Sequence, residues 1–356
     1  MKRLIICCDG TWNSPENAKL AASNVVRLST AVLPRASDDV PQVVYYDPGV
    51  GTGGLVDKLS GGAFGSGLSL NVREAYRFIV QNYEPGDALY FFGFSRGAYT
   101  VRSTAGFVRT VGILQKRHID QLGEGWRIYR MRKGTADSPD AQRFRAAYSH
   151  PNPEQIDMRC VGVWDTVGAL GIPGPLGFLT KKGNGFHDVA LSSRVKFAFH
   201  AIAVDEKRLF FRPTIWEQSP DARGQILEQA WFPGVHADVG GGYDEKALAD
   251  NTLAWMVSRA RLAGLEFDQP YLDSVCQPDA RGALHESRNG PYKLIPQHHR
   301  PIGRPVPVRE ALYRPPGATQ QSLDDTTERR YEEDRSYRPP ELVQYKEARP
   351  RSGPDS

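Results

Sequence analysis

This 356-residue chain has little cysteine, no long apolar run and little net charge, and each shortage excludes something. Its four cysteines are Cys7, Cys8, Cys160 and Cys276, with no CxxC pair and no Cys/His spacing suited to zinc. They read as buried free thiols of a reducing compartment rather than as a disulfide framework. Cys7 and Cys8 are adjacent in an apolar strand, so they point to opposite faces. No stretch is long and apolar enough to be a membrane span. Near the N-terminus only Leu4 to Cys8 is apolar; that is too short for a signal-peptide core, and Asp9 ends it. A cytoplasmic protein is expected, with signal-independent export left open. The formal net charge of +4 is small, and Lys and Arg are nowhere concentrated among interleaved aromatics, which argues against a nucleic-acid partner. The glycine-dense segment 49–67 holds neither GxGxxG nor a Walker pattern. No cofactor and no resident metal are expected, and there is no tandem repeat.

What is present reads as globular: 40% hydrophobic and 24% charged residues, in a chain long enough for one large α/β domain with insertions. Buried strands are expected at Arg3 to Cys8, Val43 to Tyr46, Asp87 to Phe94, Ile156 to Trp164 and Ile226 to Phe232. Amphipathic helices are expected at Leu70 to Asn82, where Val72, Ala75, Ile79 and Tyr83 recur at 3–4 spacing, and at Ala247 to Ala263. Val195 to Val204 is apolar around His200 and fits helix or strand. Residues 49–67 and 170–186 read as loops. Past residue 265 proline and arginine become frequent, periodicity fades, and Glu328 to Arg335 reads as a solvated charge run or loose tail.

The run Leu89-Tyr90-Phe91-Phe92-Gly93-Phe94-Ser95-Arg96-Gly97-Ala98 carries the chemistry. An apolar stretch ends in Gly-x-Ser-x-Gly, and Ala98, Val101, Ala105 and Val108 then recur on one helical face. Strand, sharp turn and helix are what a nucleophile elbow needs. The helix N-terminus supplies N–H groups and a positive dipole end for a developing oxyanion. The fold expected is α/β, α/β-hydrolase-like: a mostly parallel sheet with helices on both faces and lid or cap insertions. The catalytic domain is expected over 1–265 with an insertion around 115–155, and residues 266–356 as an extension packed on it or partly loose.

A serine hydroxyl needs a base, and the base an orienting carboxylate. The chain order Ser, Asp, His is supplied by Ser95, Asp165 at the end of Val161-Gly162-Val163-Trp164, and His236 in the loop Pro233-Gly234-Val235-His236. Asp238 and Asp205 are rival acids and His200 a rival base, the last reading more as a packed or supporting histidine. The oxyanion donors expected are the N–H of Arg96 and that of Gly10 or Thr11 in Asp9-Gly10-Thr11. The activity expected is hydrolysis of a carboxyl ester, with an acyl-ester or lipid as substrate and peripheral membrane contact accompanying a lipid. Two other readings stand beside it: a non-catalytic interaction module on the same fold, and a metal-dependent hydrolase using Asp9, Asp165, Asp238 and a histidine. Nothing in the sequence speaks to oligomeric state.

Four segments, Gly93-Phe94-Ser95-Arg96-Gly97-Ala98, Asp9-Gly10-Thr11-Trp12-Asn13, Trp164-Asp165-Thr166-Val167 and His236-Ala237-Asp238-Val239-Gly240-Gly241-Gly242-Tyr243, occur in an order that resembles the α/β-hydrolase family of type VI secretion phospholipase effectors. The similarity spans about residues 1 to 260, with weaker echoes at His285-Glu286-Ser287 and Tyr337-Arg338-Pro339. It implies a Ser-Asp-His lipolytic hydrolase, carried onto Ser95, Asp165 and His236.

Overall fold

Continuous apolar runs become the strands of one parallel sheet, because a strand covered on both faces has no position for a polar side chain. The computed structural model describes residues 1–10, 21–49, 61–131, 136–167, 190–303 and 318–348. Their elements, in order, are β1 (Arg3–Cys8), α1 (Asn24–Ala31), β2 (Gln42–Asp47), α2 (Gly61–Asn82), β3 (Ala88–Phe94), α3 (Arg96–Val111), α4 (Leu122–Arg130), α5 (Pro139–Tyr148), β4 (Asp157–Trp164), β5 (Ala190–Leu191) and β6 (Phe197–Ala203). There follow β7 (Glu217–Gln218), β8 (Ile226–Phe232), α6 (His236–Gly240), α7 (Ala247–Leu262), α8 (Gln269–Val275), β9 (Gln321–Leu323), α9 (Asp325–Glu333) and α10 (Pro340–Ala348).

The main sheet runs β2-β1-β3-β4-β6-β8-β9, every adjacent pair parallel. β5 and β7 form a separate parallel pair. All seven residues of β3 are buried. Alternation along β1 splits it between two cores. Leu4, Ile6 and Cys8 pack with Val72, Ala75 and Ile79 of α2 and with Val101 and Val108 of α3. Ile5 and Cys7 pack on the other face with Val25 and Leu28 of α1 and Leu253 and Met256 of α7. This is an α/β-hydrolase-like fold, with helices on both faces of a parallel sheet. The four cysteines are free thiols.

Several local expectations are refined. The ambiguous run around His200 is a strand, β6, in register with β4 and β8. Part of the glycine-dense segment, from Gly61 on, is helical, while 50–60 lies outside the described residues, as does the loop expected at 170–186. The charge run at 328–335 falls largely on α9, where Arg330 is buried and donates to the Ala280 and Gly282 carbonyls (both 2.8 Å). The stretch past 265 supplies the sheet's edge strand, β9, and a third core: Ile302, Leu323, Tyr337 and Leu342 pack on Ile202, Val204 and Trp231.

Because every strand of the main sheet runs the same way, the residues following β1, β3, β4, β6 and β8 emerge at one edge. In open α/β sheets that carboxyl edge is where ligands bind. Asp9, Ser95, Asp165 and the 233–236 loop all lie there.

Candidate active site

β3 ends at Phe94 and α3 begins at Arg96, so one residue makes the whole turn. Ser95 makes it at φ 57° and ψ −118°, a conformation that is strained for a residue with a Cβ. Close approach of helix to strand forces it, and two glycines permit that approach. A Cβ on Gly97 would lie 2.0 Å from the Cys8 carbonyl oxygen, and one on Gly93 2.6 Å from the Gly97 carbonyl. The Ser95 N–H is donated to the Trp164 carbonyl at 3.1 Å, tying the elbow to the end of β4. Ser95 is 8% exposed.

Asp165 follows β4 directly and also adopts a left-handed conformation, φ 40°. Its N–H is donated to Ala201 O (2.8 Å), and the side chain is fully buried. His236 Nδ1 lies 2.5 Å from Asp165 Oδ2. Arg300 grips the same carboxylate with both prongs, Nη1 to Oδ1 at 2.6 Å and Nη2 to Oδ2 at 3.0 Å, and the Ala203 N–H adds a bond to Oδ1 at 3.1 Å. Burial alone would raise the Asp165 pKa, but Arg300 and the His236 hydrogen bond outweigh it and hold the carboxyl well below the usual range. The aspartate is therefore an anion, the form that accepts from an Nδ1–H imidazole and leaves Nε2 without a proton. His236 is pushed below the ordinary histidine value by burial, against the pull of Asp165.

The imidazole is walled by aromatics. Phe94, the neighbour of Ser95, lies 4.6 Å away ring to ring, and Phe211 meets it edge-on at 5.0 Å. Glu206 Oε2 accepts the His236 N–H at 3.3 Å, and Glu206 is itself held by Arg208 and by the Ser287 hydroxyl. Arg208 in turn lies 3.5 Å over the Phe211 ring. His236, expected in a loop, opens the five-residue helix α6, and Asp238 on that helix accepts the Val235 N–H at 2.9 Å.

The family model for the catalytic domain of type VI secretion system phospholipase effectors, Tle1-like, matches residues 2–259. The chain belongs to this family. It is similar to an uncharacterized protein of Saccharomyces cerevisiae, 27% identical over 244 residues, which covers 62% of this chain and 33% of that protein. It is also similar to the crystal structure of an uncharacterized protein from Pseudomonas aeruginosa, at TM-score 0.46 and 18% identity, covering 76% of this chain and 47% of that one. The chain thus spans about a third of the length of the curated relative it matches.

In this Tle1-like catalytic domain, a member of a hydrolase family, the structure brings Asp165 and His236 together and sets His236 against the neighbour of Ser95. Ser95 Oγ makes no hydrogen bond to a described residue. The rival groups have other partners. His200 is fully buried; its Nε2 accepts the Thr166 N–H (3.2 Å), so Nδ1 donates to Gln229 Oε1 (3.2 Å), and burial lowers its pKa to about 3. It supports the backbone next to Asp165. Asp238 pairs with His285 Nδ1 at 2.6 Å. Asp205 accepts from the Gly234 N–H (2.7 Å) and the Tyr337 hydroxyl (2.9 Å), and burial raises it to about 6.

Arg96 opens α3, so its N–H lies at the helix's positive end beside Ser95. The Gly10 N–H is given to Asp9 Oδ1 at 2.6 Å, so this expected oxyanion donor is engaged by a carboxylate; Thr11 lies outside the described residues. Asp9 also accepts from Ser23 and, at 3.0 Å, from Tyr46. Among the described residues, no three His, Cys, Asp or Glu side chains gather as a metal site would need. Arg300, Glu206, Arg208 and His285 were not singled out in the sequence as site residues. Of these only His285 had a signal, the weak motif echo at 285–287.

Proposed function

We propose that the chain is a serine hydrolase that cleaves carboxyl esters of lipids through an acyl-enzyme. Ser95 Oγ attacks the ester carbonyl as its proton passes to His236 Nε2. Asp165 holds Nδ1–H and faces the imidazolium that results. The tetrahedral oxyanion lies toward the N-terminus of α3, with the Arg96 N–H as a donor. Its collapse breaks the ester bond, and the leaving alkoxide takes the proton from His236. Water, deprotonated by the same imidazole, then releases the fatty acid and restores Ser95.

One observation carries this reading: the 2.5 Å hydrogen bond between buried Asp165 and His236, at the sheet edge where Ser95 occupies a single-residue turn at φ 57°. Membership in a phospholipase-effector family supports a lipid as the ester. Such substrates are met at an interface, so contact with a membrane surface is part of the proposal. No helix among the described residues is long and apolar enough to cross a membrane.

The test is turnover of short-chain and long-chain acyl esters and of dispersed phospholipid by wild type and Ser95→Ala. Loss of at least ~10³-fold in a folded Ser95→Ala protein is expected. Retention of ester turnover by that variant would refute the nucleophile assignment.

A further inference from the structure

Arg300 is among the largest fully buried side chains, 1% exposed, and comes from beyond the residues the family match covers. Burying a guanidinium costs free energy that its ion pair and hydrogen bonds must offset; here both Nη groups are bonded, while Nε has no hydrogen-bond partner among the described residues. Its ion-pair partner is Asp165, gripped through both oxygens, and its remaining bonds go to the Ala203 carbonyl (2.8 Å) and the Phe211 carbonyl. Each contact bears on the His236 surroundings. The two-pronged grip fixes the plane of the carboxylate that holds His236 Nδ1. The Phe211 bond anchors the residue whose ring walls the imidazole.

We infer that Arg300 is a positioning residue for the hydrolytic reaction: it sets the plane of the Asp165 carboxylate that holds His236 Nδ1, and shares the negative charge that carboxylate presents to the imidazole. This rests on the reading of Ser95 and His236 as nucleophile and base. A bare buried carboxylate would hold an imidazolium strongly; one shared with a guanidinium holds it less. Of the other charged groups around His236, Glu206 is paired with Arg208, and Asp238, on the same helix as His236, is hydrogen-bonded to His285 Nδ1. His200 lies near Asp165, where burial and Arg102 keep it neutral. Removing Arg300 therefore alters the charge directly on Asp165.

The experiment is kcat and KM against pH for a soluble acyl ester, with the full-length chain as wild type, Arg300→Gln and Arg300→Lys, beside Ser95→Ala. For Arg300→Gln the acid limb of kcat/KM is expected to move up by about one pH unit, with a lower plateau. Arg300→Lys keeps a cation but not the fork, so its limb is expected within about 0.3 pH unit of wild type, with kcat reduced and KM unchanged. A reduced plateau with an unmoved limb in Arg300→Gln would make Arg300 a packing residue only and overturn the inference. Should Arg300→Gln not fold, Arg300→Lys decides: a wild-type kcat would mean that the fork positions nothing. Ester turnover surviving in Ser95→Ala would instead overturn the nucleophile reading, and this inference with it.

Discussion

Asp165→Asn is the sharpest single perturbation of the site. Four donors converge on the two carboxylate oxygens: His236 Nδ1 at 2.5 Å, Arg300 Nη1 at 2.6 Å, Arg300 Nη2 at 3.0 Å and the Ala203 N–H at 3.1 Å. Asparagine replaces one oxygen by an NH2 donor, and neither orientation suits. With the amide nitrogen toward His236, the imidazole must carry its proton on Nε2, where it cannot act as base. With the nitrogen toward Arg300 Nη1 and Ala203, donors face donors. The first orientation removes the base, for which the expected loss in kcat is about 10³–10⁴, or about 4–5.5 kcal/mol of transition-state stabilisation. Either orientation leaves Arg300, 1% exposed, without its counter-ion; breaking a buried pair in this way typically destabilises by about 3–5 kcal/mol. The assay is kcat/KM on a soluble ester below the thermal midpoint, with circular dichroism and urea midpoints on the same preparations. A folded variant within tenfold of wild type would refute the assignment of Asp165 as the orienting acid.

Three other perturbations follow from the same structure. His236 must be neutral to accept the serine proton and its pKa is lowered by burial, so kcat/KM should hold level from pH 8 through about 6.5 and fall only below the ordinary histidine value; an acid limb centred above 7 would contradict this. Gly97→Ala places a Cβ 2.0 Å from the Cys8 carbonyl oxygen, so a destabilisation of about 3 kcal/mol in urea melts is expected. Gly123→Ala in α4, whose Cβ would meet nothing within 4 Å, should be neutral or slightly stabilising, and equal effects at the two sites would count against the elbow packing. Native His200 stays neutral down to about pH 3, whereas an unfolded histidine takes a proton near 6.5. Between those values the unfolded chain binds the extra proton, so stability falls as pH falls, by up to about 1.4 kcal/mol per unit for this group. A folded His200→Gln variant should show a flatter dependence of its urea midpoint between pH 6.5 and 4.5, and an unchanged slope would argue against a buried neutral imidazole.

Much of the sheet was legible because strands covered on both faces must be continuously apolar, as Leu89 to Phe94 are. The elbow was legible because a one-residue turn between strand and helix requires small residues at fixed offsets, here Gly93 and Gly97. The run around His200 stayed ambiguous for the same reason the other strands were clear: Phe-Ala-Phe-His-Ala-Ile-Ala is apolar at every spacing, and only its pairing with β4 and β8 decides for strand. β9 is three residues long and leaves no periodicity. Arg300 left no signal at all. A buried arginine differs from a surface one only through its partner, and Asp165 lies 135 positions away in the chain. The same long range conceals Glu206 and Arg208, whose role depends on the fold bringing the loop after β6 under α6.

The most direct test of the central claim is covalent labelling by a fluorophosphonate, followed by peptide mapping of the adduct in wild type, Ser95→Ala and His236→Ala. The account predicts a single adduct on the peptide carrying Ser95, absent in Ser95→Ala and strongly slowed in His236→Ala. An adduct on another serine, or equal labelling of wild type and His236→Ala, would contradict it.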